Sequence, residues 1–307
     1  MPCRLSKGHP GTFTVEHKYP FYLTLDQGKS SYFLGSSCGP HGTMDSIVLI
    51  LGLHRVGRPP ANAKIRGLFV TPELLSFEIW LLKKLGYRFA TLKDALLAPA
   101  GKIAVITFDD GYEDNYTVGL PVLERHGVPA TVFVVTGDVG EKAVVWDEAG
   151  EDLPADMLTW EMLAELQSRG WEIGSHGHHH VHFDRQRPDR QESSICQSVR
   201  AIEKALGTVP ISFAYPYGAF SGATKALLRQ VGLRFAVTTE RPAPTDLAEP
   251  DDLLELKRVA IGGRRFYHFF RCASRTLTAT GAGDVIRSLI PVGVRQPLAE
   301  EASKRNS

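Results

Sequence analysis

Cysteine is sparse in this chain. The 307 residues hold four, Cys3, Cys38, Cys196 and Cys272, and no two stand at CxxC spacing. That excludes a zinc knuckle and a disulfide framework as organising devices. An excess of one charge is also missing: 35 Lys and Arg face 34 Asp and Glu, a formal +1. The balance gives no support to a nucleic-acid partner or an acidic surface. No apolar run is long enough to cross a membrane, and residues 46–53 fall far short. The opening residues lack the charged, then apolar, then small-residue order of a secretory signal, so a cytoplasmic protein is expected. No internal repeat is evident. Residues 1–43 show neither helical nor strand periodicity and read as a poorly ordered extension. The folded domain is expected over 44–280, with a C-terminal tail at 281–307. Met1 and Met44 are both candidate starts, because Met44 directly precedes the first convincing strand.

What is present is an alternation of strand and helix patterns, repeated some six or seven times. Buried strands are expected at 45–53, 130–135, 211–215, 234–238 and 254–261, with shorter ones at 87–90 and 171–174. Thr71-Pro72-Glu73 reads as a helix start, with Leu74, Phe77, Leu81 and Leu85 at helical spacing and Gly86 as the stop. Further helices are expected over 115–126, 159–169, 189–206, 221–232 and 267–277, and a polar insertion over 137–156. Such alternation implies parallel strands with crossover helices, as a barrel or an open sheet. His54, Asp109-Asp110, His176 and Tyr217 all follow the C-terminal end of an expected strand. Barrel enzymes place their chemistry on that face.

The most informative stretch is KIAVITFDDGYEDN, residues 102–115. Six apolar or β-branched residues without polar alternation read as a strand buried on both faces. Two carboxylates directly after it need a metal, a basic partner or solvent, because an unpaired buried carboxylate is too costly. Neighbouring side chains of a strand point to opposite sides. One Asp can therefore bind a metal while the other moves a proton. An ordinary Asp-Gly turn fits the same letters. Downstream, residues 176–182 hold five histidines in seven positions. His176 and His180 stand at i, i+4, so one helical turn would put both rings on one side. Two His and one carboxylate with an open position make a catalytic zinc set; a solvated His-rich loop is the bland reading. His178, His179 and His182 receive no role from spacing, and His182 reads as a supporting residue.

Taken together, TFDDG at 107–111, EIGSHGHHH at 172–180 and FAYPYG at 213–218 resemble the polysaccharide deacetylases. These are the NodB-homology domain proteins of carbohydrate esterase family 4. The resemblance spans about residues 45–270 and implies a distorted (β/α) barrel of about seven parallel strands. It implies hydrolysis of N-acetyl groups on amino sugars, with an N-acetylated saccharide as the partner and a divalent metal, usually zinc, as the cofactor. Carried over by position, Asp109 is the general base, and Asp110, His176 and His180 are the metal ligands. The Tyr217 N–H helps hold the oxyanion, while its ring and Pro216 line the groove.

Two departures stand out. Many members carry an Arg, paired with the base, where this chain has Ala214, so Asp109 must be oriented by another group. The late Leu-x-His that supplies the acid is missing; the matching region reads LELKRVAI at 254–261. His268 lies beyond it and substitutes poorly. A branch acting on exopolysaccharide glucosamine polymers has a permuted barrel with that His after the first strand. By this resemblance His54 is the acid. A degenerate glycan-binding member without turnover and an allantoinase-like hydrolase of a small cyclic amide are the competing functions.

Overall fold

The computed structural model describes residues 46–146, 153–239 and 252–262. The extension at 1–43, Met44, the helix expected over 267–277, His268 and the tail at 281–307 lie outside the described residues. Among the described residues, no helix is long and apolar enough to cross a membrane.

The first strand, β1 (Ile47–Leu53), leads into a short β2 (Arg55–Val56), which pairs with β3 (Phe69–Val70). Then follow α1 (Pro72–Lys84), β4 (Arg88–Phe89), α2 (Leu92–Leu97), β5 (Lys102–Phe108), α3 (Leu120–His126) and β6 (Thr131–Val134). The second half holds α4 (Trp160–Ser168), β7 (Glu172–Ser175), α5 (Pro188–Leu206), β8 (Ser212–Ala214), α6 (Gly222–Val231), β9 (Phe235–Val237) and β10 (Val259–Ala260). Thr71, Thr91, Thr159 and Ser221 cap α1, α2, α4 and α6 through their hydroxyls, each satisfying a backbone N–H at the helix start.

The main strands pair in the order β10-β1-β5-β6-β7-β8-β9, every pair parallel. β4 lies beside the first half of β5, and β6 takes over that side from Thr107 onward. The two edges of this sheet meet. One segment bonds β9 through Leu253 and Leu256 and then bonds β1 through Val259, Ala260 and Ile261. The seven parallel strands thereby curl into a distorted barrel. Because all run one way, their C-terminal ends share one face. β1 and β5 are in register from Ile47↔Lys102 to Leu53↔Phe108, and the Asp109 N–H continues the ladder to the Leu53 carbonyl at 2.9 Å. His54 and Asp109 therefore emerge side by side.

One expected helix starts differently. Residues 115–119 form a wide turn before α3 begins at Leu120. Pro121 has no N–H to bond back four residues, so the regular ladder cannot run through it. The Asn115 side chain instead donates to the His54 carbonyl at 2.7 Å, tying the turn to the end of β1.

The apolar face of α1 holds a carboxyl. Glu78 is 0% exposed among Leu75, Ile79, Leu81 and Leu82, and neither carboxyl oxygen finds a hydrogen-bond partner among the described residues. Burial raises its pKa well above the usual carboxylate range. The folded state therefore binds this proton more tightly than the unfolded chain, and stability falls as pH rises from about 4.3 towards the raised folded value. Glu78→Met is expected to stabilise the protein by about 1–3 kcal/mol. Thermal melts should show a gap between variant and wild type that widens from pH 5 to pH 8. An equal gap at both values would mean that Glu78 does not bind its proton in the fold.

Candidate active site

Asp109 and Asp110 follow β5 directly, and both are buried. Their environments differ. Asp110 takes a left-handed backbone conformation, φ 75°, directly after the strand. Its Oδ1 lies 3.1 Å from His176 Nε2 and 3.4 Å from His180 Nε2. Ligand atoms of all three residues fall within 4.8 Å of one another.

His176 and His180 do meet, with ring centroids 5.2 Å apart, but not on a helical turn. Residues 176–182 form a loop. Gly177 turns it with φ 84°, and a Cβ there would come within 3.2 Å of Phe183. The Gly177 and His178 carbonyls accept from the N–H groups of Thr136 and Gly137, so the loop continues the β6–β7 pairing past the strand ends. These backbone bonds make the helical spacing incidental.

The donor set fits a cation. His176 Nδ1 is 2.8 Å from the Ala214 carbonyl, which can only accept, so Nδ1 carries the proton. In the neutral ring Nε2 then presents a lone pair to Asp110 Oδ1. That oxygen is buried and accepts no hydrogen bond among the described residues. Converging lone pairs of this kind repel one another unless a cation sits between them.

Asp109 is held by a different group. Arg258, just before β10, donates from NH1 to Oδ1 at 2.7 Å and from NH2 to Oδ2 at 2.6 Å. The same guanidinium donates to Thr107 Oγ1 and to the Thr238 carbonyl, each at 2.9 Å. It passes over Gly52, where a Cβ would stand 3.3 Å from Arg258 Nε. Burial pushes the Asp109 carboxyl up, but the Arg258 charge and its hydrogen bonds outweigh it, with His176 and His54 adding, and the net shift is downward. Asp109 is thus ionised and fixed in one plane. Ala214 leaves this carboxylate without the family Arg; its partner comes instead from a position 149 residues along the chain. The sequence signals only the need for a partner: Asp109 after a buried strand requires a cation, and nothing local says which one.

The remaining expected residues gather at the same mouth. His54 Nε2 stands 3.9 Å from Asp109 Oδ2, with the side chain 30% exposed. Pro216 is buried, whereas Tyr217 is 44% exposed in a left-handed conformation, φ 59°. The Tyr217 ring packs edge-on to His180 at 4.4 Å and parallel to His182 at 4.0 Å. His178 is not among the three converging residues and pairs with Thr136 Oγ1 at 3.0 Å. One further ring is Trp146, from the segment that reads as a polar insertion; it stacks on His180 at 4.6 Å.

A family model described as polysaccharide deacetylase matches residues 98–236. YxkH of Bacillus subtilis (strain 168) is 29% identical over 182 residues, covering 57% of this chain, and the chain spans only 60% of YxkH. The poly-β-1,6-N-acetyl-D-glucosamine N-deacetylase of Staphylococcus aureus (strain MRSA252) is 26% identical over 251 residues, 74% of this chain and 83% of that enzyme. Among solved structures, the Streptococcus pyogenes deacetylase PplD in complex with acetate superposes with a TM-score of 0.60 at 26% identity. That likeness covers 71% of this chain and 93% of PplD.

Proposed function

The chain belongs to the polysaccharide deacetylase family over residues 98–236, and on that premise we propose that it is a zinc-dependent hydrolase removing N-acetyl groups from an amino-sugar polymer. The bond cut is a carbon–nitrogen bond outside peptides. The Staphylococcus aureus relative supplies the substrate class, a poly-N-acetylglucosamine. The observation that carries the reading is the division of labour between adjacent carboxylates. Asp110 converges with two imidazoles on a point that needs a cation, while Asp109 beside it is kept off that point by Arg258.

Asp110, His176 and His180 would hold the ion. Once bound, a divalent metal supplies Lewis acidity, acidifying a water and polarising the acetyl carbonyl. Asp109, ionised and oriented, accepts the proton of the attacking water. The Tyr217 N–H donates to the oxygen on which negative charge develops. His54 gives a proton to the departing amine. Pro216 and the exposed Tyr217 ring line the groove for the sugar. Arg258 in the place of the missing family Arg argues against a binding-only protein, since the base is oriented after all.

The test is acetate release from soluble oligomers of N-acetylglucosamine. Release is expected from the wild type, to be lost on chelation and restored by added zinc. His176→Ala is expected to bind no metal in equilibrium dialysis. Acetate release from protein proven metal-free would refute the metal-dependent reading.

A further inference from the structure

His176 and His180 are held in different ways. A metal-ligating His ordinarily donates its second ring N–H to a carboxylate or carbonyl, which fixes the ring. His176 does so through Nδ1 and the Ala214 carbonyl. Nδ1 of His180 is buried and has no hydrogen-bond partner among the described residues. Its orientation must come from its ring faces. On one of them lies Trp146, stacked at 4.6 Å and 28°; Tyr217 meets the ring edge-on at 4.4 Å.

Trp146 is itself anchored. Its Nε1–H donates to Asp138 Oδ2 at 2.8 Å. Asp138 is fixed to the end of β6, donating its N–H to the Val135 carbonyl at 3.0 Å. The Trp146 ring leans on Tyr112 at 5.7 Å, two residues beyond Asp110. Val144, two residues before Trp146, is bonded in both directions to Ala155, and Tyr112 pairs with Met157. The C-terminal end of the insertion is therefore paired with the loop that carries Asp110, and the stretch of the insertion before Trp146 is tied to that end.

We propose that Trp146, held by Asp138, is a positioning residue that orients His180 towards the metal point in place of the missing hydrogen bond. The proposal rests on the metal reading above. Stacking can do this work because aromatic pairs favour defined offset or tilted geometries, and because a buried ring with one unsatisfied nitrogen is otherwise free to turn about its Cβ–Cγ bond.

The experiment uses the full chain and the metal alone. Zinc affinity is measured by competition with a chromophoric chelator, and the visible Co(II) spectrum reports ligand geometry. Trp146→Ala is expected to weaken zinc binding about 10–100-fold and to alter the Co(II) bands, with His180 still present. Trp146→Phe keeps a stacking ring and should recover most of the affinity. Asp138→Ala leaves the indole in place but unanchored, and should lose affinity to an intermediate degree even if Trp146→Ala fails to fold. His176→Ala serves as the control that abolishes binding. Wild-type affinity and an unchanged spectrum in Trp146→Ala and Asp138→Ala, beside lost binding in His176→Ala, would overturn the clamp alone. Failure of the wild type to bind either ion would overturn the metal reading, and the clamp with it.

Discussion

Arg258→Met is expected to lose about 3–5 kcal/mol of stability, because it strands Asp109 as an uncompensated charge in the barrel. Both partners of the pair have side chains only 3% exposed, so solvent cannot take over from the guanidinium. Turnover should fall by about 10²-fold, since the proposed general base, no longer held in one plane, would lose its alignment to the attacking water. Asp109→Asn should fall further, about 10²–10⁴-fold, because the amide cannot accept the proton. The informative variant carries both substitutions. Asp109→Asn with Arg258→Met removes both charges together and should recover most of the lost stability but none of the turnover. Chemical denaturation of the two single variants and the double variant gives that coupling directly. Simple additivity in stability would show that the two charges do not depend on one another in solution.

That pair also marks where sequence reading stops. The barrel, its parallel order and most helix starts are legible, because each rests on local chemistry: unbroken apolar runs, hydroxyl caps and glycine stops. The expected metal set is legible for a related reason. A carboxylate pair after one buried strand and histidines after another must find compensating partners nearby. Arg258 is not legible as the partner of Asp109, although the need for one is. Barrel closure decides which distant residue arrives, and closure depends on the segment at 253–261 bonding to both β9 and β1. Trp146 escapes because its insertion has no periodicity; its placement comes from two isolated strand bridges and one indole hydrogen bond. The histidine spacing suggests a helical turn and the right convergence, yet a loop turned at Gly177 produces it. Local pattern determines which residues meet, and backbone bonds to β6 determine how.

His54→Ala is expected to lower turnover about 10²–10⁴-fold on amide substrates, and far less on an activated acetyl ester. The reason is the leaving group. An amine must be protonated as the C–N bond breaks, whereas a phenolate-type leaving group departs unaided. No late Leu-x-His stands in 254–261 to deliver that proton. In the proposed mechanism His54 does so. Its Nε2 lies 3.9 Å from the ionised Asp109, and its backbone carbonyl is tied by Asn115 at 2.7 Å, which fixes the end of β1 from which the ring projects. Its side chain is 30% exposed, so substrate can reach it from the solvent side. In the mechanism we propose, the Asp109 carboxylate takes the proton of the attacking water and the His54 imidazole supplies one to the departing amine. The amide-to-ester ratio in His54→Ala, measured with zinc occupancy checked in the same samples, isolates this role from packing. Equal losses on the two substrates would make His54 a structural residue at the strand end and send the search for the acid elsewhere.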